Sequence, residues 1–118
     1  MATFTAQNLL DENNYTTSDI SLVNAERLVN NAIHYVELET GLSLADMATQ
    51  TVTVTDGEET IIKSLAVLMI RAYLDRGPNA AIGGLSVTSV LADPQYALFK
   101  DLLDSGINRL RGRTFKRT

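Results

Sequence analysis

Catalysis in a small chain needs side chains that exchange protons, attack an electrophile or hold a metal, and that converge on one place. The candidates here are few. His34 is the only histidine and there is no cysteine, so thiol chemistry, Cys-based zinc sites and paired-histidine zinc ligation are excluded. On a helix His34 falls on a polar face with Arg27, Asn30 and Glu37, which suits a solvated or interface histidine better than a general base. The acid pairs do not converge either. Glu37 and Glu39 stand about 200° apart on a helix and Glu58 and Glu59 about 100°. Asp101 and Asp104 share an exposed face, where two acids serve solubility more often than hydrolysis. Gly83-Gly84 is followed by no Lys-Ser or Lys-Thr step, so no phosphate cradle is formed. Ser86 and Ser89 have no base in view, and no nucleophile elbow occurs. The sequence therefore points away from an enzyme, and no cofactor or metal is expected.

The stronger chemical signal is charge. All 14 acidic residues and five of the ten basic residues lie before Ser105, a net of −9, and the last ten positions carry Arg109, Arg111, Arg113, Lys116 and Arg117 with no acid, a net of +5. An acidic body with a basic end suggests a partner more readily than a small substrate. Three roles are open for that end. Arg109 and Arg111 are placed to neutralise the negative C-terminal end of their own helix. The whole set, with Phe115 to stack, suits nucleic-acid phosphates. The same arginines suit bidentate contacts to carboxylates on an acidic protein surface.

The elements that must position these residues are mostly helices. A chain of 118 residues with 45% hydrophobic and 20% charged residues supports one globular core. The N-terminal stretch has neither the cationic start nor the apolar run of a secretion signal. The longest nearly apolar run, residues 65–74, is interrupted by Arg71 and is much shorter than the roughly 20 residues a membrane span requires. Residues 1–17 read as an arm with room for a short turn of helix near residues 6–10. A helix begins near Ser18 or Asp19 and ends at Gly41, with Leu22, Ala25, Val29, Ala32, Ile33 and Val36 on its apolar stripe and Leu28 and Tyr35 on a flank. Residues 51–55 alternate Thr and Val as a short extended segment does.

Asp56 and Glu59 have capping-box spacing before a second helix over residues 57–76, which stops at Gly77-Pro78. That helix is apolar on two sides: Ile61, Ile62, Leu65, Leu68, Met69, Ala72 and Tyr73 fill one, while Val67, Ile70 and Leu74 line the other. Such a helix is either central in its own bundle or buried by another subunit, and with about three helices to cover it the second stripe is a candidate subunit interface. Residues 79–92 read as a long, nearly uncharged loop, with Ile82, Leu85, Val87 and Val90 as candidate docking residues. Asp93 and Pro94 start the last helix, whose buried face holds Tyr96, Phe99, Leu103, Gly106, Ile107 and Leu110. Residues 112–118 follow as a basic tail without apolar period.

The order of these elements resembles a known family. The run NAERLVNNAIHYVELETGLSL from Asn24 is similar to the first long helix of tailed-phage head–tail connector (adaptor or head-completion) proteins. EETIIKSLAVLMIRAYLDRG resembles their central helix, and GGLSVTSV the segment before their last helix. The likeness spans residues 18–111 and rests on helix boundaries and apolar faces, without a catalytic signature. It implies a virion protein, made in the host cytoplasm, that forms a ring, typically dodecameric, beneath the portal protein. That ring would surround the channel for double-stranded DNA and dock tail or stopper proteins. The basic end would then meet an acidic portal surface or the DNA. The long polar stretch before Ser18 and the basic end after Gly112 depart from the family pattern.

The resulting expectation is a mainly α fold: a small bundle of three to four helices with a short extended or β segment and a long loop before the last helix. Its function is expected to be that of a head–tail connector with no membrane contact. The alternative is a small helical nucleic-acid-binding or regulatory protein that uses the basic C-terminal tail.

Overall fold

The computed structural model describes residues 2–46, 51–54, 58–76 and 86–115. They form a mainly α fold in the order β1 (Ala2–Thr5), α1 (Ala6–Glu12), α2 (Leu22–Thr40), β2 (Ala45–Asp46), β3 (Thr51–Val54), α3 (Glu59–Arg76), α4 (Val87–Leu91), a 3₁₀ turn (Pro94–Tyr96) and α5 (Ala97–Phe115). The strands make a small antiparallel sheet in the order β1-β3-β2.

The N-terminal stretch is part of the core, not an arm. Phe4 lies opposite Val52 and Ala2 opposite Val54 across the β1–β3 pair, and period-two alternation turns Phe4, Val52 and Val54 inward. Thr5 then caps α1 with a reciprocal box. Its Oγ1 accepts from the Asn8 backbone N–H at 3.2 Å, and Asn8 Oδ1 accepts from the Thr5 N–H at 2.9 Å. Asn8 thus takes the place of the usual Glu or Gln, and Ala6, Leu9 and Leu10 are buried.

The first long helix starts later than its sequence suggests. Asp19 turns its carboxylate back onto the Thr16 N–H at 2.9 Å, which closes a turn ahead of the helix. Ser21 is left as N-cap, accepting from Asn24 N–H at 3.2 Å. Leu22, expected on the apolar stripe, is consequently largely exposed at the first position, while Ala25, Leu28, Val29, Ala32, Ile33 and Val36 are buried. The other end is as expected: Gly41 adopts φ 74° and donates to the Glu37 carbonyl at 2.8 Å, a left-handed cap that glycine takes without strain.

Helix α3 packs against α2, α5 and α4, so both of its apolar sides find cover within the chain. Ile70 is fully buried, and Val67 and Leu74 are half-buried against the same core. Of the second stripe, Ile70 is therefore core, while Val67 and Leu74 keep part of their surface outside it. The proposed capping residue Asp56 and the helix stop at Gly77-Pro78 lie outside the described residues.

The stretch expected as a loop before the last helix contains α4. Ser86 caps it by accepting from Ser89 N–H at 3.0 Å, and Ser89 Oγ donates to the Ser86 carbonyl at 2.9 Å. Val87 and Val90 are buried with Leu91, so most of their side-chain surface belongs to the core. Ile82 and Leu85 lie outside the described residues. Asp93 accepts from Gln95 N–H at 3.1 Å and starts the 3₁₀ turn before α5. Leu103, Ile107 and Leu110 face the core. A Cβ on Gly106 would stand 3.1 Å from Ile61 Cγ2, so the small residue admits an α3 side chain there.

Candidate interaction surface

The basic residues of α5 are divided by the pitch of the helix. Arg109 reaches the start of α3, where its Nε donates to Glu58 at 2.9 Å. Glu58 is only 1% exposed; burying a carboxylate requires a partner of this kind. Arg111 reaches the end of α2, where it donates to both the carbonyl and the carboxylate of Glu39. A cation on the last carbonyls of α2 also suits that helix's negative end. These two arginines, expected to dock a partner or cap their own helix, instead clasp α5 to α3 and α2. Arg113 and Phe115 fall in the last turn of α5, so the helix runs into the segment expected as a tail. Lys116 and Arg117 lie outside the described residues.

The two clasps also fix helix directions. Glu58 meets Arg109 and Ile61 meets Gly106, so α3 and α5 run antiparallel. Glu39 meets Arg111 and Tyr35 lies near Lys100 and Asp104, so α2 and α5 run parallel. Burial raises the Tyr35 pKa above 10.0, with the Glu39 and Asp104 carboxylates adding to the effect.

The other titratable groups go to separate partners. Glu37 accepts from the Leu44 and Ala45 N–H groups at 2.7 and 3.2 Å and so ties the segment after α2 to that helix. Glu59 pairs with Lys63 at 3.0 Å, Glu12 pairs with the same lysine at 3.3 Å, and Lys63 also lies over the Phe4 ring at 5.5 Å. The Glu59 hydrogen bond raises the Lys63 pKa above 10.5, Glu12 contributes, and burial partly opposes them. Asp104 pairs with Lys100 at 3.3 Å. Among the described residues no group of three His, Asp or Glu side chains is placed to hold a metal ion, and no helix is long and apolar enough to cross a membrane.

Among the described residues, the large apolar side chains left exposed are Leu22 and Val23 at the start of α2, Leu38 near its end, and Leu98 and Leu102 on α5. On α5, Leu98 is 75% and Leu102 55% exposed, one turn apart on the same helix row as Ser105 and Arg109. That row is the flank of α5 facing α3. On α2, Leu38 is 87% exposed and borders an open groove of about 330 Å³ between α2 and α4, with Asn31, His34, Tyr35, Val87 and Thr88. Tyr35 faces the other flank of α5, so the ridge and the groove lie on different sides of that helix. His34 stands at the groove with its Nε2 3.9 Å from Glu37. Val67 borders a separate open depression of about 430 Å³ with Arg71, Tyr96 and Phe99.

Leu38, Leu98 and Leu102 were not singled out as interface residues by sequence. Leu98 and Leu102 carry a readable signal, because they fall outside the row of Leu103, Ile107 and Leu110 on a helix whose core face is already complete. Comparison with family models, with curated protein sequences and with solved structures finds no match to this chain.

Proposed function

We propose that this chain is a structural virion assembly protein: a head–tail connector that joins a portal to tail or stopper proteins as one subunit of a closed ring around the DNA channel. The observation that carries this reading is the pair of separate apolar surfaces, Leu98 with Leu102 and Leu38 with its groove, on a protomer whose core is closed. Contiguous exposed apolar patches mark contact surfaces, and this reading takes the Leu98–Leu102 pair and the Leu38 groove as the centres of two such patches. Two unlike surfaces are what a ring needs, since each subunit offers one to each neighbour. The order of helices that resembles connector proteins supports the same reading.

In this reading the protein acts by geometry. The acidic body assembles laterally, and the basic charge beyond the clasps, on Arg113, Lys116 and Arg117, docks on carboxylates of the portal. Co-sedimentation of the full chain with purified portal rings at physiological salt tests it. Binding that saturates at a fixed number of chains per portal ring is expected. Failure to bind portal, together with tight binding to duplex DNA whose logarithm falls with log salt at about −0.9 per phosphate contact, would contradict it and favour a nucleic-acid-binding protein.

A further inference from the structure

The ridge is an exposed apolar row and the groove an open apolar-lined depression, and they carry charge of opposite sign. The ridge presents Leu98 and Leu102 with Asp101 between them, and Asp101 is exposed and makes no ion pair among the described residues. The groove side of α2 presents Arg27, Asn31, His34 and Leu38, an i, i+4, i+7, i+11 row that is exposed along its length. That row carries two groups able to bear positive charge. Arg27 makes no ion pair among the described residues, and Glu37, the nearest acid to His34, has its other carboxylate oxygen on the Leu44 and Ala45 N–H groups. Apolar side chains one turn apart are the usual anchors of a helix laid into a groove.

The geometry points to a heterologous contact between copies of this chain, in which the Leu98–Leu102 ridge of one copy fills the Leu38 groove of the next and Asp101 faces the Arg27–His34 row. The inference rests on the ring reading and names the surface through which the ring would form. A two-fold pair would require one patch to face itself. Here the acid lies on the ridge and Arg27 on the groove row, on different sides of α5, so each contact leaves one ridge and one groove open for further copies. The other half-buried depression, at Val67, carries an aromatic wall and both Arg71 and Asp75; nothing in the structure shows what would cover it.

The test uses complementation between full-length variants, with mass measured by sedimentation velocity. A ridge variant carries Leu98→Gln with Leu102→Gln, and a groove variant carries Leu38→Gln. All three positions are exposed in helices, where Gln is well tolerated, and an unchanged thermal unfolding midpoint confirms that each variant folds. The wild-type chain is expected to associate beyond a dimer. Each variant alone should lose at least about tenfold in association constant, as truncation of interface anchors does. Mixed together, the two should form a discrete one-to-one pair, because the ridge variant keeps its groove and the groove variant keeps its ridge. Asp101→Lys should weaken association, and His34→Asp in the same chain should restore part of the loss.

Rings that survive both sets of leucine changes would overturn this surface and leave the connector reading standing. A wild-type chain that stays monomeric at high concentration would also overturn the contact, while portal co-sedimentation still decides the connector reading. If the mixture gives no pair and the wild type stops at a dimer, both the heterologous contact and the ring are contradicted.

Discussion

Among single residues, the Glu58–Arg109 contact is the one whose loss has the clearest consequence. The carboxylate is buried while the guanidinium is largely exposed, so removing the arginine takes away a charge-assisted contact at a place shielded from water. Arg109→Met is expected to lower the unfolding free energy by about 1–3 kcal/mol, the range for a hydrogen bond to a charged group, measured by urea denaturation at neutral pH. No loss of stability would show that the clasp is incidental.

Lys63 gives a pH-dependent counterpart. Its folded pKa lies above 10.5 and that of Tyr35 above 10.0, so the folded state binds more protons than the unfolded state once pH passes these ordinary values. Stability from both groups is fully present below about pH 10 and is lost as pH rises through the folded values. Urea midpoints between about pH 9 and 11 should fall, and Lys63→Met should make that fall shallower. A slope unchanged by the substitution would mean that Lys63 is not the group titrating.

At the scale of elements, β1 and α1 decide whether the N-terminus belongs to the domain. Phe4 is buried opposite Val52, and Phe4→Ala should cost about 3–5 kcal/mol, as large-to-small changes of core aromatics do. An appended arm would lose almost nothing, so thermal or chemical melts separate the two. Gly106 supplies a second comparison. Ala there gains about 1 kcal/mol of helix propensity but meets Ile61 Cγ2 at 3.1 Å, whereas Val would overpack the site and destabilise by about 1–3 kcal/mol. Equal stability of the Ala and Val variants would contradict the close α3–α5 approach.

What sequence discloses about these elements follows from how local their causes are. Gly41 needs only its own left-handed φ, and the Thr-Val alternation of β3 is visible in four residues. β1 is invisible alone, because its partner strand lies roughly 50 residues away and four residues give little period to read. α4 was masked by the alternation of Leu85, Val87 and Val90, which fits a strand or a loop as well as one turn of helix. The clasps of Arg109 and Arg111 require knowing that α5 runs antiparallel to α3 and parallel to α2, and no local pattern states that. The two-sided apolar face of α3 was legible; its cover was not, since that depends on the packing of α4 and α5 against it, which no local pattern states.

At the scale of the whole molecule, the uneven charge acquires a structural division. Part of the basic end is consumed in holding the acidic body together, through Glu39 and Glu58, and the remainder is what the connector reading assigns to docking. The apolar surfaces divide likewise: Ile70 of the α3 stripe is internal, and the ridge on α5 and the groove beside α2 are what the connector reading assigns to neighbouring subunits. A ring built on them should be held chiefly by apolar burial with a few charge pairs, so moderate salt should weaken it far less than it weakens contact with phosphates. The most direct measurement is the mass of the full-length chain by sedimentation velocity, alone and with purified portal rings, with the particles imaged by electron microscopy. The account predicts a closed ring, formed by the chain alone or on the portal; a stable dimer that ignores the portal and binds duplex DNA at physiological salt would contradict it.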